Sequence, residues 1–159
     1  MNAHWLFPRT PRGFITSEEG RRKVCYRDNA LQAWPTIGIG HKDGKLIPGV
    51  TTWTDQKIDE TFDADYTRAA VGIASSFAAF RTLDTVRQAV LVSMAFQMGV
   101  AGVMLFHNML AAIAAKRWDV AAHEMISSDW HVQTPDRCER AAAMMRTGDW
   151  PTLFNGETP

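Results

Sequence analysis

Two cysteines in 159 residues are few, and Cys25 and Cys138 lie too far apart to form a CxxC or zinc-ligand spacing. A dithiol redox motif and a structural zinc are thereby excluded, and no metal or cofactor is called for. Nor is a disulfide implied, because sequence separation carries no information about the Cα geometry a bridge needs. An excess of charge is missing as well: Lys plus Arg and Asp plus Glu are 17 each, so the formal net charge is zero. That excludes a generally basic nucleic-acid binder, which needs surplus cations to neutralise phosphates. The opening MNAHWLFPRTPRGF lacks a basic segment followed by a long apolar run and does not read as a secretory signal. One long stretch, residues 88–115, contains no Asp, Glu, Lys or Arg. Gly99 and Gly102 interrupt it, and Gln97, His107 and Asn108 sit inside it, so two buried helices joined by a turn are expected rather than a membrane span. Repeats and low-complexity tracts are also lacking.

What is present is an ordinary globular composition, 46% hydrophobic and 21% charged, long enough for one domain or two small lobes sharing a core. Thr10-Pro11 reads as an N-cap followed by proline in the first helical turn, and Gly20 as the stop of a short helix ending at Glu19. Val24-Cys25-Tyr26 and Thr36-Ile37-Gly38-Ile39 are short β-type runs around a polar, proline-containing turn. The stretch from His41 to Gly49 reads as loop, with Asp43-Gly44 and Pro48-Gly49 as turn signals. Thr54 can cap a long helix carrying Ile58, Phe62, Ala69 and Ile73 at helical intervals. Beyond it the periodicity is helical throughout, ending with a helix begun at Thr134-Pro135 and closed by Gly148. The expected fold is α+β and mainly helical: an α+β lobe over residues 1–53, whose first helix can pack on the other lobe, a linking helix over 54–80, and a helical lobe over 81–159.

The segment EEGRRKVCYRDNALQAWPTIGIGH, residues 18–41, concentrates the candidate chemistry. Glu19 falls on the last turn of a helix, where the partial negative charge and any burial push its carboxyl towards the protonated form. Asp28, at the end of a strand and before a turn, is expected to stay ionised. Two carboxyls in unlike environments are what hydrolysis of a glycosidic bond requires, one to protonate the leaving group and one to activate water or stabilise positive charge. The hydroxyl of Thr36 could hold that water. Plainer readings exist for each: Glu18-Glu19 as a solvated helix end, Asp28-Asn29 as an Asx turn, His41 as a structural histidine, and Arg137 with Arg140 as a solvated helix face. Gly38-Ile-Gly40 lacks the third glycine of a phosphate loop, and the Met-rich run 94–109 reads as core.

The order EG, YRD and TIGIGH closely resembles the catalytic lobe of the phage T4-type lysozymes, which are peptidoglycan muramidases. RQAVLVSMAFQMGVAGV, KRWDVAAHEM and SDWHVQTPDRCERAAAMMRTGDW resemble that family's central, following and arginine-bearing helices, so the likeness covers residues 10–150. It implies a T4-lysozyme-like fold with Glu19 as general acid, Asp28 as the acid that assists water and Thr36 as the residue that positions it. It further implies a structural His41–Asp65 pair, cleft-lining Phe96 and Gln97, and an Arg137 paired with Glu19 that opposes the upward push on its pKa. Trp118, Trp130 and Trp150 read as packing tryptophans. The chain departs from the pattern in having two extra residues between Asp28 and Thr36 and a shorter segment after His41. It also carries Met109, Glu124 and Asp129 where the archetype has Ser, Asn and Arg.

The resemblance implies a cofactor-free endolysin cutting the β-1,4 bond between N-acetylmuramic acid and N-acetylglucosamine with inversion, and so lysing the host cell. It would be held in the host cytoplasm until a holin-type partner releases it to the wall. Delivery by secretion or a phage tail, a lytic transglycosylase, and a non-catalytic glycan-binding module of the same fold are the alternatives. Its partner would be peptidoglycan glycan strands, with no nucleic acid and no membrane insertion. A monomer is expected, since no spare amphipathic stripe remains.

Overall fold

In the computed structural model, which describes residues 9–27 and 34–151, the first helix begins as its sequence dictates. Helix α1 (Pro11–Glu19) is capped by Thr10, whose hydroxyl accepts from the Gly13 N–H at 3.1 Å, and Gly20 closes it by donating to the Thr16 carbonyl at 2.9 Å. Strands β1 (Arg22–Arg27), β2 (Pro35–Gly38) and β3 (His41–Lys42) follow as an antiparallel sheet in that order. Tyr26 pairs with Thr36, and Thr36 with Lys42. The stretch from His41 is therefore not wholly loop, because the tight turn at Ile39-Gly40 brings its first two residues back alongside β2. Residues 49–53 return along the other edge of β1, with bonds such as Cys25 N–H to Thr51 O at 2.9 Å and Trp53 N–H to Lys23 O at 2.8 Å. This covers an edge that would otherwise present unpaired backbone groups.

Helix α2 (Asp55–Ser76), capped by Thr54, touches both the sheet and the next long helix, burying Ile58, Phe62, Ala69 and Ile73. A short 3-10 turn, Ala78–Thr82, leads to Asp84, which caps α3 (Thr85–Met104). Helices α4 (His107–Ala114), α5 (Trp118–Ile126), α6 (Asp129–Gln133) and α7 (Pro135–Thr147) complete a mainly helical α+β fold.

The uncharged stretch 88–115 forms α3 and α4 joined at Leu105-Phe106, and α3 is itself broken at Gly99. By length and composition α3 could span a bilayer. Here it is the helix on which the core is built, with Val90 and Leu91 fully buried and α1, α2 and α7 packed on it. Phe14 and Ile15 of α1 belong to that core rather than to the sheet. From α1 on the helical body, the described chain thus contributes the sheet and returns through α2. Cys25 and Cys138 are both free and buried, and burial pushes the Cys138 thiol up to about 11.

Candidate active site

Because α1 lies on α3 and stops at Gly20, its last turn is delivered to the junction between sheet and helices. Glu18 and Glu19 sit there side by side, and each meets an arginine of α7. Arg137 and Arg140, three residues apart and so on one helix face, reach Glu19 and Glu18 respectively. Arg140 grips Glu18 as a fork, Nε to Oε1 at 2.8 Å and Nη2 to Oε2 at 2.9 Å. Its own pKa is raised, first by that bond to Glu18. Arg137 grips Glu19 with one arm only, Nη1 to Oε1 at 2.7 Å, while Nη2 donates to the Ser93 carbonyl at 3.2 Å and hydroxyl at 3.1 Å. The Glu18 and Glu19 side chains are only 6% and 16% exposed. Neither a solvated helix end nor a solvated arginine face describes this: four charged groups are tied together between two helices.

Glu19 opens onto a cleft of about 1350 Å³. One wall comes from the sheet and α1, with Tyr26, Gly40, Lys42, Glu18 and Glu19; the other comes from the helices, with Phe96, Gln97, Phe106, Met109, Trp130 and Arg137. Phe96 meets Phe62 of α2 edge-on at 5.7 Å. The Gln97 side-chain carbonyl accepts from the Trp130 indole N–H at 2.9 Å, and its amide reaches Thr134 at 3.5 Å. Trp130 is thus a packing residue that also fixes a residue of the wall. Trp118 packs under the Arg87 guanidinium, 4.0 Å from its ring centroid. Glu124 and Asp129 line the helical side as well, Glu124 with the Asn108 amide at 3.3 Å.

Thr36 stands between Tyr26 and Lys42 in register, and directly opposed residues of an antiparallel sheet share a face. Its side chain therefore belongs to the face whose neighbours line the cleft. It is 2% exposed, however, does not itself line the described cleft, and donates its hydroxyl to the Trp34 carbonyl at 3.0 Å. His41 Nδ1 meets Asp65 Oδ2 at 2.6 Å, and the other Asp65 oxygen accepts from Arg68 at 2.7 Å. This pair pins β3 to α2, with the His41 ring tilted against Trp53 at 5.4 Å. Asp28 lies outside the described residues. Among the described residues no cluster of His, Cys, Asp and Glu has the form of a metal site.

Glu18, Arg140, Ser93, Tyr26 and Lys42 are the site residues that sequence reasoning passed over. Two of them left a signal: adjacent glutamates at a helix end, and arginines three apart elsewhere, are a matched set. Ser93 left a fainter one, as the single polar side chain between Gln88 and Gln97.

A part-buried glutamate clamped to a guanidinium lines a cleft between a small sheet and a helical body, an arrangement suited to proton transfer on a bound chain-like substrate. The chain belongs to the phage lysozyme family, whose profile matches residues 16–143. It is 30% identical over 158 residues to a probable T4-type lysozyme 1 of Dictyostelium discoideum, covering 82% of this chain and 90% of that protein. A second probable T4-type lysozyme of that organism is 30% identical over 155 residues, with the same coverage. The pre-baseplate central spike protein Gp5 of Enterobacteria phage T4 is 30% identical over 85% of this chain and 27% of its own length. The protein is accordingly a glycosidase of the lysozyme type, with a peptidoglycan-hydrolysing function.

Proposed function

We propose that the enzyme is an endolysin that hydrolyses the β-1,4 bond between N-acetylmuramic acid and N-acetylglucosamine, with inversion. In this reading Glu19 passes its proton to the glycosidic oxygen as the C1–O bond breaks. Water attacks the muramic C1 from the opposite face while Asp28 takes up its proton, and Thr36 helps place that water. The reducing end is left on the muramic acid, and solvent returns Glu19 and Asp28 to their starting states. The observation that carries the reading is Glu19 itself, one oxygen held by Arg137 and the other open to the cleft beside Gly40. Inversion requires the two carboxyls to stand about 6.5–9.5 Å apart, leaving room for the water. No metal or cofactor takes part. The protein acts on glycan strands as a monomer, stays in the host cytoplasm until a holin-type partner opens the membrane, and then lyses the cell. The likeness to a spike protein supports a second route of delivery, on a phage particle, for the same chemistry.

Mass spectrometry of digested sacculi, with a reducing-end assay, tests this. Hydrolysis leaves reducing muramic ends, whereas 1,6-anhydro ends would replace the hydrolase with a lytic transglycosylase. Glu19→Gln should lose at least ~100-fold in rate, the usual contribution of a general acid, while still unfolding in a single cooperative transition. Undiminished lysis by that variant would remove Glu19 from the reaction.

A further inference from the structure

Two Glu–Arg pairs of the same composition lie side by side here, and they differ in one respect. Glu18 has both oxygens taken by the Arg140 fork. Glu19 has one oxygen taken by Arg137, and its Oε2 makes no hydrogen bond among the described residues. The difference originates in α3. Ser93, 3% exposed, offers its hydroxyl and its carbonyl to Arg137 Nη2, and both are occupied. A second sign is the Arg137 Nε, which is buried without an acceptor, whereas Arg140 spends its Nε on the fork. A buried donor left unpaired is costly, so Arg137 would gain by rotating onto Glu19 as Arg140 does on Glu18. Ser93 holds it off.

We propose that Ser93 is a positioning residue: by holding one arm of Arg137 it keeps the guanidinium from gripping both oxygens of Glu19, and so leaves Oε2 free to carry the transferable proton. This rests on Glu19 being the general acid, as argued above. Among the described residues, the charged and titratable groups around Glu19 are Glu18 beside it, Arg137 and Arg140 from α7, Tyr26 from β1 and Lys42 from β3. Asp28, outside them, is the second carboxyl of the reading above. Helix α3 presents uncharged Ser93 and Gln97. Each further N–H placed on a carboxylate favours its ionised form. A forked Arg137 would therefore hold both Glu19 oxygens as carboxylate acceptors and leave no oxygen free for the proton that the reaction needs.

The test is Ser93→Ala, which removes one of the two acceptors and leaves the carbonyl, beside Ser93→Thr, which keeps a hydroxyl. The titration midpoint of Glu19, read by NMR on 13C-carboxyl-labelled protein, should fall by about one pH unit in Ser93→Ala. The alkaline limb of kcat should fall with it, and kcat near pH 7 should drop about tenfold while KM changes less than about twofold. Ser93→Thr should restore the wild-type midpoint. In an Arg137→Ala background Ser93→Ala should shift nothing, since its effect passes through Arg137. A Glu19 midpoint unchanged or raised in Ser93→Ala, or the same shift without Arg137, would overturn the proposal. Full activity of Glu19→Gln would instead defeat the general-acid reading, while the NMR midpoint would still decide whether Ser93 controls the carboxyl.

Discussion

At the scale of single residues, two glycines separate catalysis from stability. Gly40 and Gly148 both have positive φ, 68° and 77°, where an L side chain costs about 1–2 kcal/mol. Both also face a charged neighbour: a Cβ on Gly40 would lie 2.7 Å from Glu19 Oε2, and one on Gly148 2.6 Å from Arg87 Nη1. Alanine at either should therefore lower the unfolding free energy, by about 1–3 kcal/mol once displacement of the neighbour is added to the backbone strain. Only Gly40→Ala displaces the carboxyl proposed as the general acid. Its kcat should fall at least ~10-fold, whereas Gly148→Ala should keep kcat within about twofold. Urea midpoints and initial rates on the same preparations would show it; equal rate losses in the two variants would mean that Gly40 acts only through the fold. The sequence made Glu19 legible because helix-ending signals are local, with Thr10 and Gly20 bracketing it. The family resemblance also gave the Arg137–Glu19 pair, but nothing local showed that Glu18 is clamped as firmly, or that Arg140 is what clamps it. Those facts depend on how far α7 lies along α1.

At the scale of elements, legibility follows the range of the forces involved. Helices α1 and α2 start at the caps Thr10 and Thr54, and α1 and α7 stop at Gly20 and Gly148, because a cap is a contact within one turn. Helix α2, whose end carries no such signal, stops at Ser76, short of the expected residue 80. Thr134 shows the limit: α7 begins there, yet its hydroxyl makes no cap and bonds the Trp130 carbonyl and Gln97 instead. The β3 pairing and the 3-10 turn before α3 escaped notice because they are settled by neighbours distant in sequence. The junction of α3 with α7 is such a case. Asp84 caps α3 by accepting from the Arg87 N–H at 3.0 Å and the Arg87 guanidinium at 2.6 Å. The same guanidinium donates to the Met145 and Arg146 carbonyls, so it fixes the end of α7. Burial alone would raise the pKa of Asp84, but the Arg87 N–H and guanidinium outweigh it, and the net shift is downward. A lowered pKa stabilises the fold above the unfolded value, near 3.9, and that contribution is lost as pH falls through the folded value. Asp84→Asn keeps a capping oxygen but loses the charge. It should cost ~0.5–1 kcal/mol near pH 7, discounted for a side chain 43% exposed, and almost nothing near pH 2. Urea unfolding at both pH values tests the sign, and a loss of equal size at low pH would exclude the ionic origin.

At the scale of the whole molecule, the balance of charge governs how the enzyme meets its substrate. The net charge is zero, and many of the charges are spent on each other. Arg21 pairs with Asp55 and Asp59, Lys23 with Asp55, and Arg12 with Asp63, tying α1 and β1 to α2. Such exposed pairs contribute little stability, about 0–1 kcal/mol each, but they cancel the far field. Encounter with an anionic wall then gains nothing from long-range attraction and depends on short-range contacts in the cleft, which salt screens weakly. The KM for sacculi should change less than about twofold between ~20 and ~150 mM salt. Glu60→Lys with Asp149→Lys alters two exposed positions that do not line the cleft and raises the formal charge from zero to +4. That double variant should bind sacculi several-fold more tightly at ~20 mM salt and lose the gain by ~150 mM, with kcat unchanged. If the wild-type enzyme itself shows the steep salt dependence, a local cationic surface beside the cleft must be steering it, and the cancellation of charge across the molecule would not govern the encounter.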